Sequence, residues 1–231
     1  MRCWVYVAAL LAVGCGPVPA ADYGAELFKD STLSESQYNT FSCATCHATT
    51  ASPEPGKVYA GHSLYNSAFR PSFWGGYETR LLDAVNFCYT AFMRGVTPLT
   101  PEDPRSRALY EYLVRISPDT NAPALPLTLV KDITDVPRGN AGSGADVYRA
   151  ACQDCHGEAR TGKGRKTELA PILPEVAQDY GDLFPGVSPG VVFIEKVRHG
   201  RFFGVGGNMP PYSREALSDK DLGALLAYLG L

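Results

Sequence analysis

The sequence predicts an all-α chain built as two small domains in tandem. Three observations carry that prediction. The pentapeptide Cys-x-x-Cys-His occurs twice, the two ends of each half match one another as helices, and a stretch rich in Pro, Gly, Ser and Asn separates the halves. A length of 231 residues suits two small domains better than one.

Residues 1–21 read as an export leader. Arg2 precedes an apolar run too short for an ordinary membrane span. Two processing routes stay open. Leu11-Ala12-Val13-Gly14-Cys15 resembles a bacterial lipobox, whose cysteine becomes a lipidated first residue, whereas Val18-Pro19-Ala20 offers an ordinary cleavage site. Cys15 has no other evident role, which favours the lipid anchor. Either route places the chain outside the inner membrane, in the periplasm. No later stretch is long and apolar enough to span a bilayer.

The first domain is expected over residues 22–117, a linker over 118–142 and the second domain over 143–231. Gly24-Ala25-Glu26-Leu27-Phe28 matches Gly144-Ala145-Asp146-Val147-Tyr148, each a short first helix. The first half then carries eleven more residues before its cysteine pair than the second. At the other end, Ala108-Leu109 and Tyr112-Leu113 match Ala224-Leu225 and Tyr228-Leu229, the final helices. Leu222, Leu225, Leu226 and Leu229 recur at i, i+3, i+4 and i+7, one apolar face. Thr100-Pro101-Glu102-Asp103 supplies an N-cap, a proline at the first helical position and an acidic third residue. Ser218-Asp219-Lys220-Asp221 starts the second final helix in the same manner.

The two pentapeptides are Cys43-Ala44-Thr45-Cys46-His47 and Cys152-Gln153-Asp154-Cys155-His156. This pattern attaches c-type haem. Two thiols at this spacing form thioethers with the two vinyl groups of one porphyrin, and the following imidazole reaches the iron. A four-cysteine zinc site made of Cys43, Cys46, Cys152 and Cys155 is the competing reading. It has no use for His47 and His156, and an exported chain favours disulfides over zinc thiolates. On these motifs the sequence resembles the class I cytochrome c family, present twice, over nearly all of the mature chain. The resemblance implies two covalently attached haem c groups, bound through Cys43, Cys46, Cys152 and Cys155. It also implies His47 and His156 as proximal ligands, and a first helix crossing a last helix with haem filling the rest of each core. Domains this small bury little apolar surface alone, so the forms without cofactor should be unstable.

The distal ligands are read from the methionines. Asn208-Met209-Pro210-Pro211 resembles the family's methionine loop, which makes Met209 the distal ligand of the second haem. An ungapped alignment of the final helices places Met93 on Met209. Met93 is therefore the candidate for the first haem, although its surroundings lack the Asn-Met-Pro-Pro form. Cys88 is the alternative. The run Val85-Asn86-x-Cys88, with Met93 and Pro98-Leu99, resembles the first-haem region of thiosulfate dehydrogenases and related sulfur-oxidising cytochromes, where a cysteine at that position binds iron. His62 or an open position is a further option. A thioether raises the potential and a thiolate lowers it.

His62 and His199 otherwise read as surface or helix-end residues. The family uses a proline carbonyl to accept the proximal N–H, and Pro171 fits that role for His156. For His47 the choice among Pro53, Pro55 and Pro71 stays open. Phe69, Phe73, Trp74, Tyr77, Phe87, Tyr89 and Phe92 are expected to wall the first porphyrin. Arg160, Lys163, Arg165 and Lys166 are expected either to ring a haem edge and steer an acidic partner, or to form a solvated loop. The chain has a net charge of −3, and −4 once Arg2 is removed, so it lacks the basic excess that nucleic acid requires. The expected function is electron transfer between redox partner proteins. The alternative is a dihaem oxidoreductase of sulfur compounds with a Cys88-ligated first haem. A peroxidase of the dihaem class fits less well, because the chain is short for that family.

Overall fold

A first helix, α1 (Ala20–Lys29), carries Asp22 in its first turn and Lys29 in its last, complementing the helix dipole. It turns Gly24, Leu27 and Phe28 inward. The computed structural model describes residues 19–52, 54–175, 177, 184–200 and 208–231. Cys15 and Pro53 lie outside the described residues. Further on come α2 (Cys43–Cys46), α3 (Leu81–Ala91), α4 (Pro104–Arg115), α5 (Ala141–Ala151), α6 (Gln153–His156), α7 (Pro189–His199) and α8 (Asp219–Leu229). No β-strand occurs among the described residues, where Phe73 and Glu78 form an isolated bridge. The all-α expectation holds.

Two helix crossings organise two separate cores. In the first, α1 crosses α4 so closely that a Cβ on Gly24 would lie 2.0 Å from the carbonyl oxygen of Ala108 and 2.8 Å from Cβ of Tyr112. In the second, α5 crosses α8, and a Cβ on Gly144 would lie 2.0 Å from the carbonyl oxygen of Ala224 and 2.8 Å from Cβ of Tyr228. The ring pairs beside them agree as well. Phe28 and Tyr112 have centroids 5.5 Å apart at 51°, and Tyr148 and Tyr228 have centroids 5.6 Å apart at 51°. Glycine is required because backbone meets backbone at both crossings. Leu27, Phe28, Leu109 and Leu113 bury in the first core, and Tyr148, Leu222, Leu225, Leu226 and Leu229 in the second.

The starts of the final helices differ from one another. α8 begins as the sequence predicts, with Ser218 Oγ accepting from the Asp221 N–H at 3.1 Å. α4 begins later than predicted. Its cap is Asp103, whose carboxylate accepts from the Arg105 N–H at 2.8 Å, and Pro104 holds the first position. Thr100–Asp103 instead forms a turn, in which the Asp103 N–H donates to Thr100 O at 3.1 Å. Pro104 disfavours a helical conformation for Asp103, which is what delays the start.

The stretch between α4 and α5 is extended and bound along its length. Pro126 O accepts from His62 Nε2, and Val130 O from His199 Nε2. Thr128 donates through N–H and Oγ to the carboxylate of Glu215 at 3.0 and 2.5 Å. Ile133 and Val136 pack on the second core, and the Gly139 N–H donates to Gly223 O at 2.9 Å. The two histidines outside the pentapeptides thus both reach the linker, His62 from a partly exposed position and His199 from the buried end of α7.

Candidate haem-binding sites

In the first motif one helical turn, α2, puts Cys43 and Cys46 on one side, three residues apart. Thr45 Oγ1 accepts from the Ser42 N–H at 3.1 Å and steadies the turn. His47 then leaves the helix in an extended conformation. Its Nδ1 lies 2.7 Å from the carbonyl oxygen of His62. A carbonyl only accepts, so Nδ1 carries the proton and Nε2 keeps its lone pair for a metal. Gly61 lies flat against this ring. A Cβ there would sit 2.2 Å from Cε1 of His47. Burial also holds the imidazole below its usual pKa, favouring the neutral form.

The second motif repeats the arrangement. α5 ends, Cys152 forms the joint, and α6 carries Cys155 and His156. Nδ1 of His156 donates to Pro171 O at 2.8 Å, the acceptor the sequence points to. Burial lowers the pKa of this imidazole too. For His47 the structure selects none of Pro55, Pro71 and Pro53, the last lying outside the described residues. His62 accepts the bond instead. The reason is that the acceptor is a backbone carbonyl, which any residue supplies. The usable signal was spacing: the acceptor follows its histidine by 15 residues in both halves.

None of the described cysteines Cys43, Cys46, Cys88, Cys152 and Cys155 forms a disulfide. Burial pushes Cys43 up to about 11 and Cys46 and Cys152 up to about 12. After burial, electrostatic interaction with Cys155 and Cys43 raises Cys46 further. No group of three or more His, Cys, Asp or Glu side chains suited to a metal ion occurs among the described residues, so the four-cysteine zinc reading has no such cluster to rest on. The donor set fits covalent haem instead: a thiol pair one turn apart, followed by an imidazole whose Nδ1 is already committed as donor.

The distal candidates differ in setting. Met209 packs half-buried on the second core. Gly200 ends α7 at φ 53°, and a Cβ there would lie 2.2 Å from Met209 O. Arg198 sets the following chain by donating to Tyr212 O, Ser213 O and Leu217 O at 3.0, 3.1 and 2.8 Å, with Asp219 at 2.7 Å. Met93 directly follows Phe92, the C-cap of α3, and is buried in the first core with Leu27, Leu33 and Leu99. Cys88 lies one turn earlier on α3, and its pKa is raised by burial and then by the charges of Cys46 and Cys43. It lies within electrostatic reach of the first thiol pair. Asn86 ties the loop after Met93 by donating to Leu99 O at 2.9 Å and accepting from the Leu99 N–H at 2.8 Å. Trp74, Phe87 and Phe92 cluster against α3, with centroids 4.8 Å apart for Trp74 and Phe87.

The basic loop divides its cations. Arg160 donates to Tyr228 O at 2.8 Å and lies over the Tyr228 ring, and Arg165 donates to Ala170 O at 3.4 Å. Lys163 and Lys166 are exposed.

Comparison with known families follows this geometry for the second half. Residues 139–229 match the family of cytochrome c oxidase, cbb3-type, subunit III. That match covers about two fifths of the chain, the part holding the second pentapeptide and the crossing of α5 and α8. No curated protein matches the sequence. Among solved structures, the chain is similar to the as-isolated form of thiosulfate dehydrogenase (TsdBA) from Marichromatium purpuratum, at 16% identity and a TM-score of 0.44. The match covers 94% of this chain and 47% of that one, so the chain spans about half the length of the structure it matches.

Proposed function

We propose that the protein is an exported dihaem cytochrome c that carries electrons between redox partner proteins. The observation that carries this reading is the repeated bond from Nδ1 to a carbonyl at His47 and His156, each beside a thiol pair. Domains spanning 22–117 and 143–231, joined by residues 118–142, would each hold one group. Cys43 and Cys46 hold the first covalently, Cys152 and Cys155 the second, and His47 and His156 are the proximal ligands. Bound haem supplies one-electron exchange at iron. The chain's own residues fix the imidazole tautomer, exclude water and present the distal sulfur: Met209 to the second site and Met93 to the first. A periplasmic location, with Cys15 as a lipid anchor, completes the proposal.

A second reading has one observation in its favour. Cys88 is carried on α3 and lies within electrostatic reach of Cys43 and Cys46. Ligation by Cys88 would make the first site a reaction centre for a small sulfur compound and leave the second, with Met209, as its electron outlet. Mass spectrometry of the denatured protein is expected to show polypeptide plus two haems. Electron paramagnetic resonance of wild type, Met93→Ala and Cys88→Ala then separates the two readings. Loss of the thioether signature in Met93→Ala supports the carrier. A thiolate signal lost in Cys88→Ala, together with haem reduction by thiosulfate, replaces it with the oxidoreductase.

A further inference from the structure

Residues 57–62 touch both attachment motifs at once. At the start of this segment, Nζ of Lys57 lies 2.9 Å from the carboxylate of Asp154, inside the second pentapeptide. The Val58 N–H donates to Ala150 O at 2.9 Å, just ahead of Cys152. Val58 and Ala60 pack on the second core. At its end, the Gly61 N–H donates to Cys46 O at 2.9 Å, and His62 O receives the Nδ1–H of His47 at 2.7 Å. Six consecutive residues therefore grip one motif at one end and the other motif at the other.

Two further contacts run between the same regions. Asn208, which precedes Met209, donates through Nδ2 to Phe92 O at 3.1 Å, and Phe92 precedes Met93. Tyr212 donates through its hydroxyl to Ala151 O at 2.8 Å, and it lies within electrostatic reach of Cys152, Cys46 and Cys155. The motifs and the methionine loops are thus joined on both sides.

We infer that residues 57–62 form a positioning strap that holds the two haem-attachment motifs against each other and so sets the rate of electron exchange between the two haems, with Lys57 and Val58 as its anchors. This rests on the dihaem reading. The exchange moves one electron from one iron to the other: one is oxidised as the other is reduced, with no bond formed or broken and no proton transferred. The strap acts through distance and orientation, since Lys57 and Val58 touch protein groups beside the thiols and neither is placed as a ligand. Lys57 and Asp154 are exposed enough that their attraction alone is weak. Val58, with a backbone bond and an apolar side chain on the second core, is the firmer anchor.

The test uses the full-length, haem-loaded protein. Val58→Pro removes the amide donor, Lys57→Glu sets like charges against each other, and Lys57→Glu with Asp154→Lys restores the pair in reverse. Exchange between haems is followed by flash photolysis of the half-reduced protein, and haem proximity by pulsed electron paramagnetic resonance of the oxidised protein. Val58→Pro and Lys57→Glu are expected to slow exchange several-fold and to weaken the magnetic coupling. Each haem should keep its own optical spectrum and potential, and the reversed pair should recover most of the rate. Wild-type exchange and coupling in Lys57→Glu and in any Val58→Pro that folds would overturn the strap. A single haem in the wild-type mass would sink the dihaem reading, and that is seen before any rate is measured.

Discussion

Arg198 shows what one buried side chain does for the second site. It is 3% exposed and donates to three carbonyls that follow the Met209 loop, with Asp219 balancing its charge. Removing it orphans those carbonyls, and each buried unsatisfied group costs on the order of 1–3 kcal/mol. Arg198→Ala is expected to destabilise the second domain by about 3 kcal/mol in denaturant unfolding, with Arg198→Lys recovering only part of that because a lysine lacks the planar fork. Nothing in the sequence around Arg198 announced this role, since its acceptors are backbone atoms 14 to 19 residues away. The histidines of the two pentapeptides were easier to read. His47 and His156 are fixed by their motifs, and Pro171 followed from the family resemblance. His62 was missed because the family resemblance points to a proline, whereas the bond needs only a carbonyl. Cys88 and Met93 stayed open in the sequence, because the choice depends on how α3 and the turn that follows it aim the two sulfurs.

At the scale of elements, the two helix crossings make a sharp prediction. A methyl group on Gly24 or Gly144 would meet a carbonyl oxygen at 2.0 Å. The contact is backbone, so relief requires the helices to part. Alanine gains about 1 kcal/mol of helix propensity over glycine, but overpacking of this kind costs more, typically about 1–3 kcal/mol. Gly24→Ala and Gly144→Ala should each destabilise by up to about 2 kcal/mol net, measured as a lowered denaturation midpoint. Each loss should fall on the variant's own helix crossing, which hydrogen exchange of the amides in α1 and α4 against those in α5 and α8 would resolve. Ends of this sort were legible: the Leu222–Leu229 face and the Ser218 cap appear in the structure as read. The start of α4 was not, because two Pro-containing runs, at Pro101 and Pro104, compete for the same role. α3 and α7 were also not marked as helices. α3 is apolar around much of its circumference, which blurs its period, and α7 is rich in β-branched residues, Val191, Val192, Ile194 and Val197, which suit strands equally well.

For the whole molecule, the linker works as a third packing element. Its composition marks it as a connection, yet composition carries no trace of the partners it meets 64 to 87 residues away. One of those contacts makes the assembly sensitive to acid. Burial works against the charge of Glu215, but hydrogen bonds from Thr128 hold its carboxyl down to about 2, against an ordinary 4.5. A depressed pKa contributes stability that is complete above the unfolded value and lost as pH falls through the folded one. The window therefore runs from about pH 4.5 down to about pH 2. The contribution is modest because Glu215 is exposed. Proteolysis of the linker should accelerate across that range in wild type. Glu215→Gln should already be cleaved faster at neutral pH, and the difference between the two should vanish at the acid end.

The two proximal bonds, equal in length of chain, end on unequal residues. Pro171 has no amide hydrogen and a closed ring, so the bond from His156 terminates there. His62 offers its carbonyl to His47 and its own ring to the linker at Pro126. A pull on the connecting segment is therefore felt at the His47 imidazole and not at that of His156, which makes the two copies mechanically distinct despite their common blueprint.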